Sequence, residues 1–374
     1  MDVTVVGGGV LGTMHAWEAL QRGHRVRQLE RDLEARSASV RNFGLIWVSG
    51  RRRGAELELA LRARELWGAI GDRVAGVGLR SGGSLTVAMT AAELGVMEEY
   101  VATGAAAERE TSLLVGAEVD WANPALRGPV AGALHCRADA VVEPRRALVA
   151  LRVEMGTTGR YEHCFGCQVV ELDGTTAVDQ LGRRWPADVV IVCPGAALDG
   201  LTAEHLSTAS LRRCQLQMME TEELGEQLTT SVADADSMRY YPAYEHVDLV
   251  ALGEQDPGAA AARLQLLMVQ RLDGGLTIGD THLYDEPFPF DVDEQPYRQL
   301  VARAEAILGR PLPPIVRRWS GVYAEIDPAE SDDRPGAIYH HAELAPGVVV
   351  VTGAGGRGMT LSPAIAERTW DGLT

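Results

Sequence analysis

Two stretches of this chain are apolar at four successive positions, Val189–Val192 and Val348–Val351. Unbroken runs of this kind predict strands covered on both faces, as in a parallel sheet packed between layers. A third run, Val3-Thr4-Val5-Val6, predicts a first strand, followed by a helix and a second strand over His24–Glu30. Over residues 55–75 apolar positions recur at helical spacing with charges between them, which predicts a long amphipathic helix. Ser84–Ala88 reads as a short strand, and Ala91–Thr103 and Arg109–Leu114 read as helices. Ala140–Pro144 is extended and Arg145–Met155 helical, starting after a proline. Cys167–Leu172 and Trp185-Pro186 bracket a β-meander. From Arg213 the pattern changes. Gln215–Met219, Leu264–Gln270 and Leu276–Asp280 are alternating or apolar runs between turns, which predicts an antiparallel sheet with one half-wet face. Tyr297–Leu308 reads as a helix, and another is expected to start near Ser362-Pro363.

At 374 residues the chain exceeds one small core, since a domain averages roughly 150 residues. The net charge of −17 argues against nucleic acid and anionic membranes as partners. No apolar run approaches the ~18 residues of a membrane span, so no integral membrane association is expected. No basic leader precedes the first strand, and a cytoplasmic location is the expectation. Five cysteines, odd and sparse, fit a reducing compartment. Cys164-x-x-Cys167 follows His163 but has no second ligand pair, so it reads as two plain thiols, and no metal is expected. The chain has no lysine, which excludes a lysine base, Schiff base or oxygen activator.

The chemistry begins at Gly7-x-Gly9-x-x-Gly12, directly behind the first strand. Gly7 permits the tight turn, Gly9 lets the backbone approach a pyrophosphate, and Gly12 lets helix and strand pack closely. The helix start, with Val10 and Leu11, offers unpaired N–H groups and a positive dipole to phosphates. Glu30, next to Arg31, ends the second strand, where a carboxylate accepts from ribose hydroxyls. A second strand–glycine–helix, Gly353 to Met359, closes the chain. The fold expectation is therefore α/β: a Rossmann-like domain from discontinuous segments 1–82, 140–210 and 320–374. A mainly antiparallel β (α+β) substrate domain from 83–139 and 211–319 is inserted into it.

Six motifs occur in order along nearly the whole chain: the first glycine motif with Glu30; Ser37-Ala38-Ser39-Val40-Arg41-Asn42-Phe43-Gly44; Gly83-Ser84-Leu85; Val142-Glu143-Pro144-Arg145; the run from Ala187 to Pro194-Gly195-Ala196; and Thr352-Gly353-x-Gly355-Gly356-x-Gly358-Met359-Thr360-Leu361-Ser362-Pro363. Together they resemble the D-amino-acid-oxidase type of FAD-dependent oxidoreductases, which includes glycine and sarcosine oxidases. The resemblance implies non-covalent FAD and oxidation of a C–N bond in a small amine. Hydride passes to flavin N5, the imine is hydrolysed, and oxygen or another electron acceptor reoxidises the flavin. It places Ser39 to Gly44 beside the flavin, Val169 at the adenine, and the Gly355-Gly356-Arg357-Gly358-Met359-Thr360 turn at the flavin's N1–C2 edge. There, N–H groups would stabilise the charge of reduction. A narrower likeness runs to a branch associated with phosphonate metabolism. Its carriers are Arg41–Gly44, Thr360–Ser362, Cys214–Met219 and Arg239-Tyr240-Tyr241-Pro242-Ala243-Tyr244.

Two departures shape the substrate expectation. Thr277 stands where sarcosine-oxidase-like members carry an oxygen-activating lysine, leaving His282 or an arginine for that task. Tyr323 stands where many relatives carry an arginine that pairs with the substrate carboxylate. The expected substrate is therefore an aminoalkylphosphonate, N-alkylated or not. Arg239, Tyr241, Tyr244, Trp47 and Tyr323 are its candidate contacts, and His282, Tyr323 and Arg357 the candidate catalytic groups. Arg239 reads equally as a surface arginine. Tyr241, Tyr244 and Trp47 also read as core aromatics, and His282 as a structural histidine. The alternative substrate is an amino acid or N-methylamino acid of the glycine, sarcosine or D-amino-acid type, with Arg239 or Arg357 on its carboxylate. Other classes are an NAD(P)-dependent dehydrogenase, which leaves the C-terminal glycine turn unexplained, and a flavin-bearing interaction protein without turnover.

Overall fold

The computed structural model describes residues 1–327 and 337–373. The apolar runs form the centre of a six-stranded sheet, ordered His340–Ala345, Val348–Thr352, Val189–Val192, Asp2–Val6, Arg25–Leu29 and Tyr161–Cys164. Every pairing is parallel except that of the edge strand His340–Ala345. Val189–Val192 and Val348–Thr352 are buried at every position, because both sheet faces are covered. Val3, Val5, Ile191, Val349 and Val351 pack against helices that include Val10–Gln21, Pro144–Gly156 and Gly358–Leu373. The alternate residues, Val190, Val192, Val348 and Val350, pack with Leu172 of the meander Val169–Asp173, Thr176–Asp179 and Arg184–Pro186.

A second sheet has eight strands, in the order Ile315–Ile326, Leu211–Glu223, Gly275–Gly279, Leu267–Gln270, Ser231–Asp234, Ser84–Ala88, Gly132–Cys136 and Thr111–Val115. It is antiparallel except where Ser231–Asp234 meets Ser84–Ala88. On one face Leu276, Ile278 and Met219 pack under helix Glu294–Leu308 through Tyr297, Leu300 and Ala304. On the other, Leu216, Met218 and Leu267 pack with Phe43, Trp47 and Tyr323. The parallel sheet with an antiparallel companion is the α/β architecture that the pattern implies. The expected border at 319/320 falls inside strand Ile315–Ile326.

Two expected elements differ. Arg109–Leu114 is not helical: a single turn, Ala107–Arg109, precedes strand Thr111–Val115, which pairs with Gly132–Cys136. A short apolar run does not fix its own period, and sheet pairing decided it. The last helix starts at Gly358 instead of near Ser362-Pro363, so Pro363 lies inside it. Pro363 cannot donate to the carbonyl of Met359. That oxygen instead accepts from the Trp67 indole at 3.0 Å and the Ser362 hydroxyl at 3.3 Å. Among the described residues no helix is long and apolar enough to cross a membrane.

Candidate active site

The phosphate grip forms where the first strand ends. Gly7 has φ +116°, and a Cβ there would stand 2.4 Å from the Cys193 carbonyl oxygen. A Cβ on Gly12 would meet the Gly7 carbonyl at 2.1 Å, so helix and turn touch only because both residues are glycine. Helix Val10–Gln21 starts behind Gly9 with no side-chain cap. Val10 N–H donates to Ser39 Oγ at 2.9 Å, tying the helix start to the Ser39–Gly44 loop. Leu11 packs on the core. Glu30 ends the second strand, with Oε2 accepting from Gly8 N–H at 2.6 Å and Oε1 from Asp32 N–H at 2.9 Å. Arg31 is exposed, 3.8 Å from Asp32. Val169 is buried beside Leu29 and Cys167. Pro194-Gly195-Ala196 leaves strand Val189–Val192, and the Gly195 carbonyl accepts from the Thr352 hydroxyl at 2.7 Å. An uncapped helix start, a carboxylate at the next strand's end and glycines where no side chain fits suit the ADP half of a dinucleotide.

Between the sheets lies a cavity of about 360 Å³. Val10, Ser39 and Arg41–Phe43 line it from the first sheet's side, as does the whole turn from Gly355 to Thr360. That turn is the single-turn helix Gly355–Arg357, without a side-chain cap, running into Gly358–Leu373. Arg41 joins the sheets by donating to the Ser320 carbonyl at 2.6 Å. Asn42 holds the loop through Ala38 O at 2.8 Å and Gly44 N–H at 2.7 Å. Gly44 takes φ +74°, and a Cβ there would strike the Val142 carbonyl at 2.1 Å. Trp47 lines the cavity, and its Nε1 is buried against Gly50 with no hydrogen-bond partner.

The other wall comes from the eight-stranded sheet and carries Tyr241, His282 and Tyr323. Tyr323 Oη lies 3.4 Å from Tyr240 Oη. Burial pushes both phenols well above their usual range, so both are neutral hydroxyls. Tyr240 stacks on His282 at 4.2 Å between ring centroids, and Tyr241 packs on Trp47 at 5.7 Å. Gly50 makes room for that pair, since a Cβ there would stand 2.6 Å from Tyr241 Cδ1.

Two expected substrate contacts lie elsewhere. Arg239 does not line the cavity. Its guanidinium is bound by Asp236 at 3.0 Å and the carbonyls of Leu249 and Gly253 at 3.3 and 2.7 Å. The single-turn helix Ala235–Arg239 puts Asp236 in reach of it. Tyr244 packs tilted against Tyr100, ring centroids 4.7 Å apart, in a separate apolar cluster.

One of the charged side chains that line the cavity is Arg51. Its side chain is 6% exposed, Nε donates to the Trp47 carbonyl at 2.7 Å, and NH1 lies 3.5 Å from Glu56 Oε1. Burial lowers the Arg51 pKa and Glu56 opposes it; the guanidinium stays charged. The same Glu56 oxygen is 3.4 Å from Arg357 NH1. One carboxylate thus serves two cations. Arg51, Glu56, Asp280, Gln265 and Tyr240 are cavity residues not among the sequence candidates. Their signals were the Arg51-Arg52-Arg53 run behind Trp47 and the Gly-Asp-Thr-His that ends strand Gly275–Gly279.

A parallel sheet whose glycine turns suit a dinucleotide, facing a mostly antiparallel sheet across a shared cavity, defines a two-sheet flavoenzyme architecture. The chain belongs to the FAD dependent oxidoreductase (DAO) family, whose profile matches residues 2–371. Its cofactor is FAD, and the chain is an FAD-dependent oxidoreductase. Among curated proteins it is similar to one subunit of the opine oxidase of Rhizobium meliloti, 29% identical over 171 residues. That match takes in 42% of this chain and 46% of the relative, so the chain spans under half of that relative's length. Among solved structures, glycine oxidase from Geobacillus kaustophilus superposes with a TM-score of 0.76 at 20% identity, covering 99% of this chain and 93% of the other. L-proline dehydrogenase from P. horikoshii gives 0.78 at 18%, covering 100% and 93%. These structural likenesses establish the fold.

Proposed function

We propose that this chain oxidises the C–N bond of an amino acid or N-alkylated amino acid. The observation that carries the reading is the shared carboxylate of Glu56. Arg51 and Arg357 both line the cavity and share one carboxylate, so this trio carries a surplus positive charge that suits a substrate carboxylate. The activities of similar proteins, opine oxidase, glycine oxidase and L-proline dehydrogenase, support an amino-acid or amino-acid-derived substrate. An aminoalkylphosphonate is the weaker reading. Arg239, the expected phosphonate contact, is engaged outside the cavity.

FAD, when bound, supplies the two-electron acceptor of the reaction. The residues of this chain do the rest. Arg51 and Arg357 fix the carboxylate and so the orientation of the α-carbon. Leu216, Met218 and Leu267 give the cavity a dry wall. The neutral phenols of Tyr240 and Tyr323 offer hydroxyl donors without adding charge. The substrate loses a hydride from carbon and a proton from nitrogen, and water then adds across the resulting C=N bond to release the keto product and an amine.

The test is anaerobic mixing of the yellow holoenzyme with amino acids, N-carboxyalkyl and N-methyl amino acids, and aminoalkylphosphonates. Bleaching of the flavin by members of the first three groups is the expected result. Bleaching by phosphonates alone reverses the choice of anion. No bleaching by any amine leaves the non-catalytic flavoprotein reading in its place.

A further inference from the structure

The cavity holds a second polar pair that a carboxylate does not use. Asp280 follows strand Gly275–Gly279 and is 5% exposed. Its Oδ1 accepts from the Gln265 amide at 3.2 Å, and Oδ2 lies 3.9 Å from His282 Nε2. His282 Nδ1 is 3.1 Å from the Arg263 carbonyl oxygen, which can only accept. The proton therefore sits on Nδ1, and Nε2 presents its lone pair. Stacking on Tyr240 holds the ring in that orientation. Two acceptors face each other at a separation too long for a mutual hydrogen bond, and both residues line the cavity. An amine nitrogen about 2.8 Å from each acceptor spans such a gap with an angle of about 90° at nitrogen, which two slightly bent N–H donors can meet.

We infer that Asp280 and His282 form the subsite for the substrate's amino group and take its proton. The inference rests on the amino-acid reading above. An ammonium has no lone pair with which to form C=N, so a proton must leave before the α-hydrogen departs as hydride. One N–H bond of the ammonium breaks and the Nε2–H bond of His282 forms; no electrons pass between molecules in this step. The resulting imidazolium lies beside the Asp280 carboxylate, and the proton passes on to solvent when product leaves.

Tyr240, Tyr241 and Cys214, ionisable groups that feel Asp280, do not titrate in competition. Burial raises all three, Cys214 to about 12 and the two phenols above their ordinary range. Burial also raises Asp280 itself, opposed by the Gln265 amide and, once His282 is protonated, by the imidazolium charge.

The experiment is anaerobic flavin reduction of the holoenzyme by its best amino acid from pH 6 to 10, for the native chain and for Asp280→Asn and His282→Asn. At pH 7 each variant is expected to be slower by about 100-fold, within the range of general-base catalysis. The deficit is expected to close towards pH 10, where the free amine is neutral unaided. Binding of the matching carboxylic acid without its amino group, read from the flavin spectrum, is expected to stay within twofold. A deficit equal at every pH, no deficit, or a parallel loss of carboxylate binding overturns the subsite. If Asp280→Asn fails to retain flavin, His282→Asn alone decides. A native enzyme bleached by no amino acid at any pH overturns the amino-acid reading instead, and the subsite with it.

Discussion

Glu56 and Arg357 lie 3.4 Å apart, though 301 positions separate them in the chain. The contact joins the start of helix Ala55–Arg73 to the glycine turn before the last helix, and Arg51 completes it from below the Trp47 carbonyl. Losing one arginine removes the surplus charge. Arg51→Gln is expected to weaken binding of a substrate carboxylate by roughly ten- to a hundredfold, the scale of a hydrogen bond to a charged group. The measurement is the dissociation constant of a non-oxidisable carboxylate, read from the flavin spectrum. An unchanged constant removes Arg51 from the site.

Arg239→Ala is expected to leave that constant within twofold. Its guanidinium is taken by Asp236 and two carbonyls, and the side chain does not reach the cavity. The variant also costs stability, on the order of 1 to 3 kcal/mol, because a partly buried carboxylate and two carbonyls lose their donor. A large loss of anion affinity would return Arg239 to the site and revive the phosphonate reading.

Glu30→Ala is expected to loosen FAD by about ten- to a hundredfold, because a ribose hydroxyl loses a charged acceptor. Flavin fluorescence released on dilution reports it. Gly12→Ala should fare worse and accumulate without flavin, since its Cβ would stand 2.1 Å from the Gly7 carbonyl oxygen.

The cofactor grip was legible because its chemistry is local. Gly7 to Gly12 and Glu30 come together within one strand, one turn and the next strand, and the apolar runs Val189–Val192 and Val348–Val351 announce their own burial. The substrate side was legible in part. Trp47, Tyr241, His282, Tyr323 and Arg357 do line one cavity. Arg51 and Glu56 were missed because which of three successive arginines turns inward depends on packing against Tyr241 and Arg357, far away in sequence. Arg239 was misplaced for the converse reason: only the helical turn that brings Asp236 beside it shows the charge already spent. Asp280 carries no local signal of burial, since the wall that encloses it is assembled from Gln265, Tyr241 and His282.

The pH dependence of folding has an identifiable contributor in His15. It is fully buried between the first and last helices, with Nδ1 2.7 Å from the Leu11 carbonyl and Nε2 3.1 Å from Thr369 Oγ1. Burial lowers its pKa to about 4, against 6.5 for the free side chain. The folded state therefore binds this proton less readily than the unfolded chain. The stability linked to His15 is fully present above pH 6.5 and is lost as pH falls towards 4. A shift of this size corresponds to about 3 kcal/mol at most. Buried Asp139, Asp234 and Asp280 have raised pKa values and act in the opposite direction, so the test is a difference between two proteins. Urea unfolding of the native chain and of His15→Gln, at pH 7.5 and 4.5, isolates the histidine. The stability advantage of the native chain is expected to shrink by about 2 to 3 kcal/mol between those pH values. An advantage that stays constant would mean His15 takes up its proton without leaving its place between the helices.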